Sequence, residues 1–156
     1  MSSMSVDAFL DTNVLIYAVS SSPDEAAKKE RALELIEQID FGLSAQVLQE
    51  FYVNVTRKIA QPLTPDEAVA LLEQLRCFPM VLTDYPLVVA GAETALRFGI
   101  SYWDGTIIAA AERLGADTLY TEDLNHGQRY GSVQAVNPFL PGAPGSVHEG
   151  EGPQYG

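Results

Sequence analysis

Cysteine is nearly absent from this sequence, and its scarcity excludes two classes of site. Cys77 is the only cysteine among 156 residues, so the chain can form neither an intramolecular disulfide nor a metal cluster held by several thiolates. The neighbouring residues Arg76 and Phe78 do not mark this thiol as a nucleophile. We interpret Cys77 as a small core residue.

Basic residues are also scarce. The chain has 9 Lys and Arg residues against 21 Asp and Glu residues, which gives a net charge of −12. Domains that hold nucleic acid by neutralising its phosphates usually present a basic face, so this balance argues against such binding. Binding of nucleic acid would need divalent cations, a local basic cluster, or a basic partner that covers the acidic surface.

Long apolar runs are missing as well. No run approaches the roughly 20 residues of a membrane span, and the start Met1–Met4 lacks the layout of a signal peptide. We therefore expect a cytoplasmic protein without membrane contact. With 47% hydrophobic residues the chain can form one domain with a substantial core, which we place at residues 1–140. The Pro- and Gly-rich stretch 141–156 predicts a flexible tail.

Short apolar runs alternate with helical patterns along the chain. Strands are predicted near residues 8–10, 40–44, 79–82, 118–121 and 132–136, with helices between them. Helix caps are predicted at Ser22, Ser44 and Thr64, and Gly99 is predicted to end a helix. Strands separated by helices indicate an α/β fold, in which helices cover both faces of a mainly parallel sheet.

Four acids occupy positions where such a sheet places ligands. Asp11 and Asp123 follow predicted strands, Asp104 lies in the first turn of an apolar helix, and Glu50 lies early in a helix that follows a strand. Each acid also has an ordinary interpretation. Asp11 and Asp104 could cap helices, Glu50 could be a solvated helix residue, and Asp123 could be a turn residue. Taken singly, each acid leaves both interpretations open.

These four positions belong to the same edge of a doubly wound sheet, because strand ends and the helix starts that follow them lie together there. Carboxylates that converge at one edge repel one another unless a cation is present. Thr121 and Glu122 add further oxygen atoms beside Asp123. Oxygen ligands without thiolates favour Mg²⁺ or Mn²⁺ over zinc.

Each of the four acids lies within a segment that combines apolar and polar residues: Phe9–Asn13, Leu43–Phe51, Tyr102–Ala111 and Leu119–Gly127. In this order and spacing the chain resembles the PIN-domain nucleases, and specifically the VapC-type toxins of bacterial toxin–antitoxin pairs. The resemblance covers the chain from about Val6 to Phe139. It implies a three-layer α/β/α fold with a central, mainly parallel sheet.

The resemblance also implies a site and a function. It implies that the catalytic and metal-binding residues are Asp11, Glu50, Asp104 and Asp123 (the acidic quartet), with support from Thr12, Asn13 and Thr121. Such proteins typically cleave RNA with Mg²⁺ or Mn²⁺, often as homodimers, and are silenced by an antitoxin protein. We therefore expect a metal-dependent endoribonuclease that is the toxin of such a pair.

Two other functions remain open. A PIN-type RNA-processing nuclease without an antitoxin would use the same quartet. A non-catalytic PIN scaffold would be expected to have lost one or more of the acids, yet all four are present. Contacts with RNA phosphate are predicted for Arg57, Lys58 and Arg129, although solvated helix and loop charges are an equally ordinary interpretation of these residues.

Overall fold

The structure is a computed structural model, and it describes residues 5–141. The predicted tail therefore lies outside the described residues, apart from Pro141. The elements follow in the order β1 (Ala8–Leu10), α1 (Thr12–Ala18), α2 (Ala26–Gln38), β2 (Phe41–Ser44), α3 (Ala45–Val53), α4 (Pro65–Leu75), β3 (Met80–Val81), α5 (Tyr85–Phe98), α6 (Tyr102–Arg113), β4 (Thr118–Tyr120), β5 (Arg129–Tyr130) and β6 (Val133–Val136).

The strands of the described chain form one six-stranded sheet in the order β3-β2-β1-β4-β6-β5. Strand β5 is antiparallel to β6, and the other neighbours pair in parallel. In the register of β1, Phe9 lies opposite Gly42 on one side and Leu119 on the other. Helices flank the sheet, as the connections between parallel strands require. The predicted three-layer α/β/α fold with a mainly parallel sheet is confirmed.

The centre of the sheet is the most deeply buried part of the core. Strands β1 and β2 are buried along their whole length, because helices cover both faces of a central parallel strand. The side chains of Phe9, Leu10, Leu43 and Leu119 are fully buried. Strands β1 and β4 therefore end at fixed points in a packed core, and the polar residues that follow them start from those points.

Helices α5 and α6 pack on each other through glycines. A Cβ atom at Gly91 would overlap the side chain of Thr106, and a Cβ atom at Gly105 would overlap the carbonyl oxygen of Gly91. Only residues without a side chain allow the two backbones to approach this closely. Because Gly105 directly follows Asp104, this contact fixes the first turn of α6 and the acid that it carries.

Three local predictions are confirmed and a fourth is confirmed in part. The Ser44 side chain caps α3, Thr64 forms a full capping box at the start of α4, and Gly99 ends α5 with a left-handed φ of 66°. Ser22 occupies the predicted N-cap position with Pro23 first in the turn, but its side chain makes no capping hydrogen bond. A 3₁₀ turn over Pro23–Glu25 comes first, and α2 begins only after it.

Other segments also differ from the prediction. Cys77 is exposed in the turn after α4, where its Sγ donates to the carbonyl oxygen of Gln74, so its interpretation as a core residue is wrong. Helix α3 gives way to a π-helical turn over Asn54–Lys58 instead of continuing to Ala60. Strand β5 was not predicted, because two residues carry no recognisable period. Within residues 5–141, every helix is too short or too polar to span a bilayer.

Candidate active site

Asp11 stands where β1 ends. Its main-chain N–H donates to the carbonyl oxygen of Tyr120 on β4 at 3.0 Å. One carboxylate oxygen accepts the N–H of Thr12 at 2.7 Å, and the other accepts the hydroxyl of Thr121 at 2.7 Å. Asp11 is the N-cap of α1, but a capping side chain normally accepts from the second or third helical residue and this one accepts from the first. Capping therefore explains only part of its placement.

The Asp11 carboxyl group is buried, with 5% of the residue exposed. Burial raises its pKa from 3.8 to about 7, although the hydrogen bonds from Thr121 and Thr12 lower it. The charges of Asp123 and Glu50 raise the pKa further. An ionised carboxylate in this position is costly without a neighbouring cation.

Glu50 lies on α3 and is half-buried, with a neutral donor on each carboxylate oxygen. The hydroxyl of Thr12 donates to Oε1 at 2.7 Å, and the side-chain amide of Gln46 donates to Oε2 at 3.1 Å. A solvated helix glutamate has no such anchors, so that alternative does not describe its environment. Thr12 joins Asp11 to Glu50, because its N–H binds one acid and its hydroxyl binds the other.

Asp104 lies in the first turn of α6. Its main-chain N–H donates to the hydroxyl of Ser101 at 3.0 Å, so Ser101 is the N-cap of this helix. Partial burial raises the pKa of the Asp104 carboxyl group, the Ser101 hydrogen bond lowers it, and the charge of Glu50 raises it. Asp104 therefore belongs to the capped first turn and also lies within electrostatic reach of the acid on α3.

Asp123 follows β4 by three residues, in a loop that Thr121 anchors. The main-chain N–H of Asp123 donates to the Thr121 hydroxyl at 3.0 Å, and its Oδ2 accepts from the side-chain amide of Asn13 at 3.3 Å. Partial burial of the carboxyl group raises its pKa, and the charges of Asp104, Glu122 and Glu50 raise it further. The structure thus brings the four acids, which come from four separate segments, into one electrostatically coupled group.

The donor set fits a hard divalent cation. The described residues contain no group of three Asp, Glu, His or Cys side chains arranged to enclose a metal ion. Mg²⁺ does not need such a cage, because it commonly keeps several waters and binds one or two carboxylates. Asn13 gives an independent indication of a cation site, because within the described chain its Oδ1 atom is buried and has no hydrogen-bond donor. Buried acceptors are normally paired, so a cation or its water shell fits this position.

In the described part of the chain, the three residues predicted to contact phosphate are not among the hydrogen-bond donors that hold the quartet. Arg57 and Lys58 are exposed in the π-helical turn that follows α3. Arg129 is exposed at the start of β5, and its Nη1 donates to the carbonyl oxygen of Ser132 at 3.1 Å. Their contact with RNA stays a prediction.

Two sets of contacts around the quartet were not predicted. Gln46, one turn before Glu50 on α3, is 8% exposed and contacts Thr106 on α6. Beside Asp123, Glu122 accepts from Lys28 at 2.6 Å and from the Tyr17 hydroxyl at 2.8 Å. The spacing of four residues between Gln46 and Glu50 was available in the sequence. The pairing of Glu122 with residues about 100 positions away left no local signal.

Comparisons with known proteins identify the fold. The family model of the PIN domain matches residues 8–131. FitAcB from Neisseria gonorrhoeae superposes with a TM-score of 0.58 and 25% identity, over 85% of this chain and 98% of that chain. VapC20 from Mycobacterium tuberculosis, a sarcin–ricin loop cleaving toxin, superposes with a TM-score of 0.60 and 20% identity, over 75% of this chain and 90% of that chain. A chain of a toxin–antitoxin complex from Klebsiella pneumoniae superposes with a TM-score of 0.64 and 16% identity, over 85% of this chain and 98% of that chain. A search of curated protein sequences found no match.

The matched residues contain all four segments on which the sequence resemblance rests. They also contain the quartet and the donors that hold it. The structural neighbours share the same architecture over most of this chain and nearly all of their own. The resemblance is therefore confirmed, and the chain belongs to the PIN domain family.

Proposed function

We propose that this protein is a metal-dependent endoribonuclease, which hydrolyses RNA phosphodiester bonds and acts as the toxin of a toxin–antitoxin pair. The observation that carries the proposal is the meeting of the four acids at one edge of the sheet, where burial and then the charges of neighbouring acids raise the pKa values of Asp11, Asp104 and Asp123. A fold gains no stability from unpaired carboxylates that repel one another, so the arrangement is best explained by a cation that they hold.

The proposed metal ligands are drawn from the acidic quartet, with the buried Oδ1 atom of Asn13 beside Asp123. When bound, Mg²⁺ or Mn²⁺ supplies a water of lowered pKa and stabilises the charge on the phosphate under attack. The surrounding donors orient the acids. Thr121 holds Asp11, Thr12 holds both Asp11 and Glu50, and Asn13 holds Asp123.

RNA is the proposed substrate. VapC20, one of the structural neighbours, is a toxin that cleaves the sarcin–ricin loop, which supports nucleolytic chemistry on this fold. The net charge of −12 opposes RNA binding, and the proposed cation offsets that charge locally. Arg57, Lys58 and Arg129 are the proposed phosphate contacts, because each is an exposed cation.

An antitoxin protein is the proposed partner. The neighbours include a toxin–antitoxin complex from Klebsiella pneumoniae and DNA-bound VapBC complexes from Salmonella typhimurium and Rickettsia felis. A basic partner would also cover the acidic surface of this chain. We further propose a homodimer and a cytoplasmic location.

Incubation of the purified protein with single-stranded RNA tests the nuclease activity. Cleavage is expected with Mg²⁺ or Mn²⁺ and is expected to stop in excess chelator. Glu50→Gln is expected to remove cleavage, since it removes one charge and keeps the shape of the side chain. Cleavage that continues in excess chelator would contradict the metal-dependent mechanism.

Expression in a bacterial host tests the toxin role. The parent protein should arrest growth, the Glu50→Gln variant should not, and co-expression of a small open reading frame from the adjacent gene position should restore growth. An active nuclease that leaves growth unaffected would favour the RNA-processing alternative. A folded protein that cuts no RNA would favour the scaffold.

A further inference from the structure

Gln46 connects Glu50 to the residue that precedes Asp104. It lies near the start of α3, 8% exposed, so its side-chain amide is almost fully removed from solvent. Its Oε1 accepts from the hydroxyl of Thr106 on α6. Its Nε2 donates to Oε2 of Glu50 at 3.1 Å and to the carbonyl oxygen of Trp103 at 3.2 Å. Both amide hydrogens and the amide oxygen therefore have partners.

Chemistry fixes the orientation of this amide. The carbonyl oxygen of Trp103 can only accept hydrogen bonds, so the NH₂ group of Gln46 must face it, and the same NH₂ group donates to Oε2 of Glu50. The amide oxygen then faces the Thr106 hydroxyl, which shares its one hydrogen between this oxygen and the carbonyl oxygen of Trp103 at 2.8 Å. A rotated amide would place its oxygen against two acceptors and leave a buried group unsatisfied.

The contacts of Gln46 join the two helices that carry Glu50 and Asp104. Glu50 lies one turn further along α3, and Trp103 directly precedes Asp104 on α6. The two carboxylates repel each other, so they separate unless something holds them. Thr12 fixes the other oxygen of Glu50 at 2.7 Å. Each carboxylate oxygen keeps a second lone pair, so these bonds leave Glu50 able to bind a cation.

We propose that Gln46 is a positioning residue, whose amide sets the separation of Glu50 from Asp104 and thereby the affinity of the site for a divalent cation. The inference rests on the proposed metal-dependent function. This role requires no contact of Gln46 with the cation or the substrate. Residues that orient metal ligands in this way commonly change metal affinity by about 10- to 100-fold when they are replaced.

Mn²⁺ binding to the purified protein, followed by electron paramagnetic resonance without RNA, tests the proposal. Gln46→Met keeps the length of an unbranched side chain and removes every hydrogen bond of the amide. We expect the Kd for Mn²⁺ to rise about tenfold or more. Thr94→Val is the matched control, because it removes a half-buried hydroxyl bond on α5 at 2.8 Å that involves none of the acids. Its Kd should equal that of the parent.

A second variant tests the proposal if Gln46→Met fails to fold. Thr106→Val keeps the shape of the side chain and removes the hydroxyl that orients the amide, so its Kd should rise in the same direction by a smaller factor. Cleavage provides a further readout: the Mn²⁺ concentration for half-maximal rate should rise in Gln46→Met, with recovery at saturating Mn²⁺. A purely structural role would lower the unfolding midpoint of the metal-free protein without changing the Kd.

The outcomes separate this inference from the proposed function. If the parent binds Mn²⁺ and cuts RNA while both variants bind Mn²⁺ as tightly as the parent, the positioning role is overturned and the proposed function stands. If the parent binds no Mn²⁺, both are overturned. Weaker binding in both variants, with an unchanged Thr94→Val control, is the result that the geometry predicts.

Discussion

Replacing Asp11 by asparagine removes one buried negative charge and keeps the shape of the side chain. Burial, and the charges of Asp123 and Glu50, hold the pKa of this carboxyl group at about 7 instead of 3.8. A difference of about three units corresponds to on the order of 4 kcal/mol between the charged and the neutral form. In the metal-free protein, nothing in the described chain offsets that penalty with a full positive charge at Asp11, since its hydrogen-bond donors are neutral.

The sign of the pH dependence follows from proton uptake. In the unfolded chain Asp11 loses its proton near pH 3.8, whereas in the folded protein it keeps the proton to about pH 7. The folded state binds more protons between these values, so stability is full at low pH and falls as the pH rises toward 7. Asparagine does not titrate, so this loss is absent in Asp11→Asn.

One opposing effect reduces the gain in the free energy of unfolding that Asp11→Asn is expected to show. Asparagine has one acceptor oxygen, so it cannot serve both the Thr12 N–H and the Thr121 hydroxyl, and losing one such bond costs about 1 kcal/mol. The free energy of unfolding of Asp11→Asn should therefore exceed that of the parent by about 3 kcal/mol at pH 8. At pH 4.5 the two proteins should be nearly equal.

Urea unfolding in excess chelator measures this difference. Asp24→Asn is a suitable control, because it makes the same substitution at an exposed acid in the 3₁₀ turn before α2, outside the acidic quartet. An Asp11→Asn protein that is no more stable than the parent at pH 8 would refute the reasoning, since it would mean that the buried carboxyl carries no electrostatic penalty.

Three further changes have defined outcomes. Asp104→Asn should abolish RNA cleavage. The protein should stay folded, because the substitution relieves repulsion from Glu50, and loss of the folded state in a circular dichroism melt would show instead that the position of Asp104 in the first turn of α6 is essential for folding. Gly105→Ala should destabilise the protein by about 2 kcal/mol or more, because the new Cβ overlaps the Gly91 carbonyl oxygen, and an unchanged urea midpoint would contradict this. Thr64→Ala should cost about 1 kcal/mol through the lost capping box of α4 and leave cleavage unaltered, which urea unfolding and the RNA assay together check.

The features that the sequence predicted correctly are set by neighbours in the chain. An apolar run followed by a polar group places Asp11 at the end of β1, and the cap at Ser44 marks the start of the helix that carries Glu50. Parallel strands then bring such positions to one edge, so the grouping of the quartet follows from topology. The fold and the approximate position of the candidate site were therefore predictable.

The features that the sequence missed depend on contacts between distant residues. Gln46 meets Thr106 across 60 positions, and no periodicity or motif specifies which oxygen faces which donor. The exposure of Cys77 follows from its place in the turn after α4, which composition does not encode. The absence of a side-chain cap at Ser22 has a local cause: the Glu25 N–H donates to the Ser22 carbonyl oxygen at 3.0 Å, and the Ser20 hydroxyl binds the Glu25 carboxylate that a capping box would use.

Cleavage of one labelled single-stranded RNA by the parent and by Asp11→Asn, both at saturating Mn²⁺ and both shown to be folded, tests the central claim most directly. We expect a loss of more than about 100-fold in rate for Asp11→Asn, equal to about 3 kcal/mol, because a group that holds the metal contributes several kcal/mol. A folded Asp11→Asn protein that cleaves the RNA at the rate of the parent would contradict the claim that the quartet forms the nuclease site.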